Sequence, residues 1–311
     1  ETADTDIKVD SGIADIVFDK KAVVTISSKA EGDSIKISIT KVDSNLLSEQ
    51  ARSKVGDRPV YNYSVKIGNS TVSHFGGGHA SVSIPYTPKP GEKKNSIVVY
   101  YIDGEGNLKT VRGRYNSETG TVDFKTSHFS QFAVGYNEVD FKDVEADSWY
   151  HEAVGFMAAR NIVNGVGGGS FAPEDNVTRA DFLIMVMNAY SIEPDSSIID
   201  NFTDSGDRYY TGYLGTAKRM GLVSGVGNNN YLPDDSITRQ DMMVILHRIL
   251  EELGELPEGN AGKSIENFND TIKVSDYAVQ AMKLFVEAGT IQGNGRRLEP
   301  KGISSRAQAV Q

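Results

Sequence analysis

An internal repeat constrains this chain more than any other feature. Phe141, Phe202 and Phe268 each open a unit, and each is followed two residues later by an aspartate, Asp143, Asp204 or Asp270. Near the other end of each unit stands an arginine, Arg179, Arg239 or Arg306. The arginines are separated by 60 and 67 residues and the phenylalanines by 61 and 66. Two independent registers agree within one residue, so three homologous units joined by a variable linker are required. Each unit of about 45 residues reads as a helix, a Gly-rich loop, a proline-bearing turn and a second helix. Such units bury their apolar faces against one another rather than alone.

The recurring residues fall into classes. Each loop carries Gly-x-Gly: Gly165/Gly167, Gly225/Gly227 and Gly293/Gly295. One reading is a helix end followed by a turn needing positive φ. The other is close backbone approach to a ligand, with N–H groups available to an anion. Thr178 with Asp181 and Thr238 with Asp241 have the spacing of a capping box, and Ser305 with Gln308 repeats it. Capping, worth about 1 kcal/mol per N-cap, is reason enough for these six. The arginine is not explained this way. In a first helical turn the dipole disfavours a cation by about 0.3–1 kcal/mol. Either the neighbouring aspartate offsets this, or arginine and free helix N–H groups together receive a carboxylate or phosphate. Trp149/Tyr150, Tyr209/Tyr210 and Tyr277 open the first helices, as core residues or as a flat platform for a sugar ring.

Residues 1 to about 137 have a different grammar. Runs such as "AVVTISS" (22–28), "SIKISIT", "YNYSVKI", "ASVSIPY", "SIVVYYI" and "GTVDFKT" are short, rich in Val, Ile, Thr and Tyr, and separated by turn signals. They predict a β-sandwich, interrupted by one helix over 45–55. "HFGGGH" (74–79) reads as a hairpin turn between strands rather than a metal site. A net charge of −10 argues against non-specific nucleic-acid binding. No cysteine is present, which excludes thiol nucleophiles, disulfides and thiolate metal sites and suits a secreted protein. No apolar run approaches the roughly 18–20 residues of a membrane span. "ETADTDIKVD" is polar and acidic, so the chain reads as a mature protein or an excised piece. His74, His79, His128, His151 and His247 have no metal-ligand spacing. The acidic loops "PEDN" and "PDDS" lack the pattern of an EF-hand, and Asn69-Ser-Thr is a formal sequon of little weight. No metal or cofactor is expected.

The repeats resemble S-layer homology (SLH) domains, whose TRAE motif appears here as TRAD, TRQD and SSRA. The resemblance implies a multidomain protein, β plus α. A β-sandwich spacer (1–137) would precede SLH repeats at 138–199, 200–262 and 263–311, the last cut short. It implies a pseudo-threefold arrangement around a central three-helix bundle. Grooves between repeats would bind secondary cell wall polysaccharide, a peptidoglycan-linked glycan often carrying pyruvate ketals on N-acetylmannosamine. Arg179, Arg239 and Arg306 would hold the pyruvyl carboxylate. The Gly-x-Gly backbones would approach the sugar, and Trp149, Tyr209, Tyr210 and Tyr277 would wall the grooves. The implied role is a secreted, wall-bound, non-enzymatic anchor at the bacterial surface, with no membrane insertion. Repeat three departs from the pattern at Ser305 and Gln308. Separately, "HFSQFAV" (128–134) resembles the final strands of ZU5/GAIN-like domains. In some of these a hydroxyl cleaves its own backbone, which here would mean Ser130 attacking the Phe129 carbonyl with His128 assisting. The alternative is that Phe129, Phe132 and Val134 are ordinary core residues.

Overall fold

The structure, a computed structural model, describes residues 5–259 and 261–311. It divides into two compact units. One comprises the chain up to Asp140 with Gly155–Asn161; the other comprises Phe141–Val154 with Ile162–Gln311.

The first unit contains strands β1 (Ile7–Asp10) and β2 (Asp15–Phe18), helix α1 (Lys20–Ala30), β3 (Ile35–Lys41), helix α2 (Glu49–Val55) and β4 (Val60–Ile67). Strands β5 (Ser70–Val72), β6 (Ala80–Pro85), β7 (Ile97–Ile102), β8 (Leu108–Val111), β9 (Gly113–Asn116), β10 (Thr121–Thr126) and β11 (Gln131–Tyr136) follow. One sheet has the order β1-β2-β6-β10-β9 and the other β3-β4-β11-β7-β8, with β5 beside β4. All pairings are antiparallel. Period-two alternation sends Ile16, Phe18, Val82, Ile84, Val122 and Phe124 of one sheet into a common core. Tyr63, Val65, Ile67, Val99, Phe132 and Val134 of the other sheet meet them there. The outer face of β7 is apolar too. Val98, Tyr100 and Ile102 cluster with Val55 of α2 and with Ala159, the last residue of helix α3 (His151–Ala159).

Three local expectations fail. Residues 22–28 are not a strand but the body of α1. Asp19 caps that helix, accepting from the Ala22 N–H, and Ala22, Val23, Ile26 and Ala30 form its buried face. The helical period outweighs β-branched composition. "HFGGGH" is not a hairpin turn, because β5 and β6 lie in different sheets. It is a crossing segment that buries Phe75 and presses Gly78 onto α1, where a Cβ would lie 2.1 Å from the Ala22 nitrogen. The helix expected over 45–55 begins later: a 3-10 turn (Ser44–Leu46) precedes it, and Ser48 caps α2.

The second unit holds α4 (Arg179–Ala189), α5 (Thr211–Arg219), α6 (Arg239–Glu252), α7 (Val279–Glu287) and α8 (Arg306–Val310), together with the start of α3. Helix α4 packs on α5 and α6, and α6 packs on α7. The chain just before α4, α6 and α8 closes a ring of backbone hydrogen bonds. Val177 N–H donates to the Ser304 carbonyl (3.0 Å), Ser304 to Ile237 (3.4 Å), and Ile237 back to Val177 (3.0 Å). Each repeat's first helical amides then donate to the next repeat's turn. Arg179 and Ala180 donate to the Asp235 and Pro233 carbonyls, and Arg239 and Gln240 to Gly302 and Pro300. Arg306 and Ala307 close the cycle onto Asp175 and Pro173. The repeats are therefore bonded one to two, two to three and three to one.

Candidate functional site

The loops between helices are set by the aspartate that follows each opening phenylalanine. Asp143 accepts the Phe171 and Ala172 amides (2.8 Å each), and Asp204 accepts those of Tyr231 and Leu232. Asp270 accepts those of Leu298 and Glu299. In each pair the second residue is held left-handed, with φ of 57°, 56° and 53° at Ala172, Leu232 and Glu299. Burial opposes ionisation of Asp143 and Asp270, but the paired amides outweigh it and hold both carboxyls below the ordinary carboxylate value.

The first glycine of each Gly-x-Gly is a packing position. A Cβ on Gly165, Gly225 or Gly293 would lie 2.7, 2.8 or 2.6 Å from the ring of Phe141, Phe202 or Phe268. It would also strike the carbonyl of Ser170, Asn230 or Arg297 across the turn. The second glycines, Gly167, Gly227 and Gly295, have positive φ and open space around them, so turn geometry explains them.

The arginines occupy the first helical turn as expected, but the neighbouring amides are not free. The N1 and N2 amides bond to the next repeat, and the third is capped by Thr178, Thr238 or Ser305. The expected pairing of arginine with vacant helix N–H groups is therefore corrected. Each guanidinium instead reaches the adjoining repeat. Nε of Arg179 donates to the Tyr231 carbonyl (2.9 Å), that of Arg239 to Leu298 (3.1 Å) and that of Arg306 to Phe171 (2.9 Å). Arg179 lies 4.8 Å over the Tyr231 ring and Arg306 lies 4.6 Å over the Phe171 ring. Arg306 also donates to the Asn164 carbonyl and is 8% exposed; burial lowers its pKa.

Capping holds for Thr178 and Thr238, and Ser305 with Gln308 forms the full reciprocal box. The carboxylates of Asp181 and Asp241 do other work. Asp181 accepts the Tyr209 hydroxyl (2.8 Å). Asp241 accepts the Tyr277 hydroxyl (2.7 Å) through one oxygen and Arg179 (3.2 Å) through the other. Burial and then the Asp241 bond raise the Tyr277 pKa, which keeps it a neutral donor.

Trp149, Tyr209 and Tyr277 are 60%, 67% and 59% exposed, as a groove wall requires. Tyr210 is not a wall residue: it is 3% exposed and its hydroxyl faces Asp234. Three of the sequence-derived classes meet in one cavity of about 350 Å³, lined by Arg179, Gly225 and Tyr277, one from each repeat. Tyr231, Asp241 and Arg248 complete its polar lining. Arg248 escaped the sequence reading because it has no counterpart in repeat one. Its place seven residues after Asp241, on the face shared with Val244 and Ile245, was the available signal.

His128, Phe129 and Ser130 sit at the turn entering β11. The Phe129 ring packs among Phe18, Tyr63 and Phe75, and the Ser130 carbonyl accepts the Tyr63 amide. None of the three has φ in the left-handed region. Burial, then the charge of His74, lowers the His128 pKa. Among the described residues no group of three His, Asp or Glu could hold a metal, and no helix is long and apolar enough to cross a membrane.

The S-layer homology domain model matches residues 140–183 and 201–243. An amylopullulanase of Thermoanaerobacterium thermosulfurigenes is 31% identical over 225 residues, 71% of this chain and 12% of that protein. That span exceeds the 141–311 segment and so takes in part of the β unit. Exoglucanase XynX of Acetivibrio thermocellus is 33% identical over 175 residues, 55% of this chain and 16% of that one. The S-layer protein sap of Bacillus anthracis is 27% identical over 171 residues, 55% and 20% respectively. The chain thus spans a fifth or less of these relatives. Matched repeats, inter-repeat latches and surface-protein relatives agree: the chain is an S-layer homology domain protein.

Proposed function

We propose that this chain is a non-covalent cell-wall anchor. Its repeats, taken as 138–199, 200–262 and 263–311, bind secondary cell wall polysaccharide in grooves between them. The observation that carries the reading is the cavity where Arg179, Gly225 and Tyr277, from three different repeats, converge. A half-exposed tyrosine face suits the apolar side of a pyranose, and arginine suits a carboxylate such as a pyruvate ketal. The cyclic backbone bonds are what a pseudo-threefold arrangement around three central helices would need. That the relatives include both S-layer proteins and polysaccharide-degrading enzymes supports a module that tethers different cargo. The β unit serves as a spacer resembling ZU5/GAIN-like domains, and the protein works at the bacterial surface, outside the membrane.

The test is a pull-down of the full chain with purified wall polysaccharide. The wild type is retained, and Arg179→Ala/Arg239→Ala is retained at least about tenfold less, the scale of one lost charge-assisted bond. Equal retention of the double variant would remove the arginine grooves from the account.

A further inference from the structure

The geometry of the groove separates two arginines with different work. Arg179 is committed: Nε holds the Tyr231 carbonyl, Nη1 holds Asp241, and its side chain is 12% exposed. A carboxylate arriving there would meet a cation already neutralised by Asp241. Arg248 is not committed in this way. It projects from α6 into the same cavity and donates from Nη1 to the Ser224 hydroxyl (3.1 Å), a neutral partner. Among the described residues no carboxylate pairs with it. Arg248 also lines a second cavity of about 400 Å³, whose other residues include Met220, Leu222, Glu251 and Glu252. The two cavities adjoin at this one side chain.

Repeat one supplies an internal comparison. The counterpart of Arg248 is Asn188, nine residues after Arg179 as Arg248 is nine after Arg239. Its carboxamide oxygen accepts the Tyr213 hydroxyl (3.1 Å). Asp181 and Tyr209 repeat the Asp241–Tyr277 pair, and the charge of Asp181 bears on Arg306. That set therefore sums to zero, whereas Arg179, Asp241 and Arg248 sum to one positive charge. An uncompensated, partly exposed guanidinium keeps its fork geometry for a planar anion.

We infer that Arg248 receives the acidic substituent of the glycan, while Arg179 holds the groove's shape. The second cavity then takes the neighbouring sugar of the same polymer. Glu251 and Glu252 there accept hydrogen bonds from sugar hydroxyls and exclude a second acidic group. This rests on the groove reading above and names the part of the ligand that each wall takes.

Titration calorimetry of the full chain tests it, with pyruvylated N-acetylmannosamine and with N-acetylmannosamine lacking the ketal as probes. Arg248→Gln is expected to weaken the pyruvylated sugar by about tenfold or more, as loss of one charge-assisted pair does. Affinity for the plain sugar should be unmoved, and Arg248→Lys should recover most of the loss. Thermal melts of each variant check that the fold is intact, which the partial exposure of Arg248 leads us to expect. Unchanged affinity of Arg248→Gln for the pyruvylated sugar overturns the inference while the groove reading survives. No heat from the wild type with either sugar overturns the groove reading and this inference together.

Discussion

At the residue scale, the repeated arginine is chiefly a fastener. A cation at a helix start is unfavourable alone, but each of these reaches a carbonyl of the adjoining repeat. Arg306 closes the cycle from repeat three to repeat one through Phe171 and Asn164. Replacing it strands two carbonyls in a buried setting. Arg306→Ala should lower unfolding stability by about 2–4 kcal/mol in denaturant titration, with a loss under 1 kcal/mol contradicting the latch. Asp143 and Asp270 carry the pH dependence. Their carboxyls ionise more readily when folded than when unfolded. Their stabilisation is complete above the ordinary aspartate value of about 3.9 and is lost as pH falls through the lower folded values. Asp270→Asn should therefore lower the melting temperature at neutral pH and flatten its fall below about pH 4. None of these partners was legible in the sequence, because each lies in a distant loop or another repeat.

At the element scale, the sequence located most strands and both helices of each repeat, because their apolar periods are local. It misread α1, whose Val, Ile and Thr content suggested a strand although Ala22, Val23, Ile26 and Ala30 follow a helical face. It could not decide what Gly-x-Gly does, since packing against a phenylalanine some 25 residues away leaves no local mark. Gly165 separates the possibilities well, because its φ is not positive and only crowding constrains it. A Cβ there would sit 2.6 Å from the Ser170 carbonyl and 2.7 Å from Phe141. Gly165→Ala should cost about 1–3 kcal/mol by calorimetric melting, the range for overpacking. A neutral result would return this glycine to a purely conformational role. The capping spacing was legible, but the use of Asp181 and Asp241 as tyrosine acceptors was not, since Tyr209 and Tyr277 come from the next repeat.

At the scale of the whole molecule, the two units divide the work between a β-sandwich and a set of cyclically bonded repeats. The packing of Phe129 among core aromatics fits an intact chain at 129/130. Denatured protein should give one mass near 33.8 kDa, unchanged in Ser130→Ala; two fragments divided there would reveal self-cleavage. The family was legible from three spaced motifs, whereas the composition of the groove needed the fold to bring Arg179, Gly225, Arg248 and Tyr277 together. The central claim is that the molecule holds a wall polymer. The most direct measurement is co-sedimentation of the full chain with purified cell walls, before and after removal of their attached polysaccharide. The account predicts retention by complete walls and loss of retention by stripped ones. Equal sedimentation with both, or with neither, would contradict it.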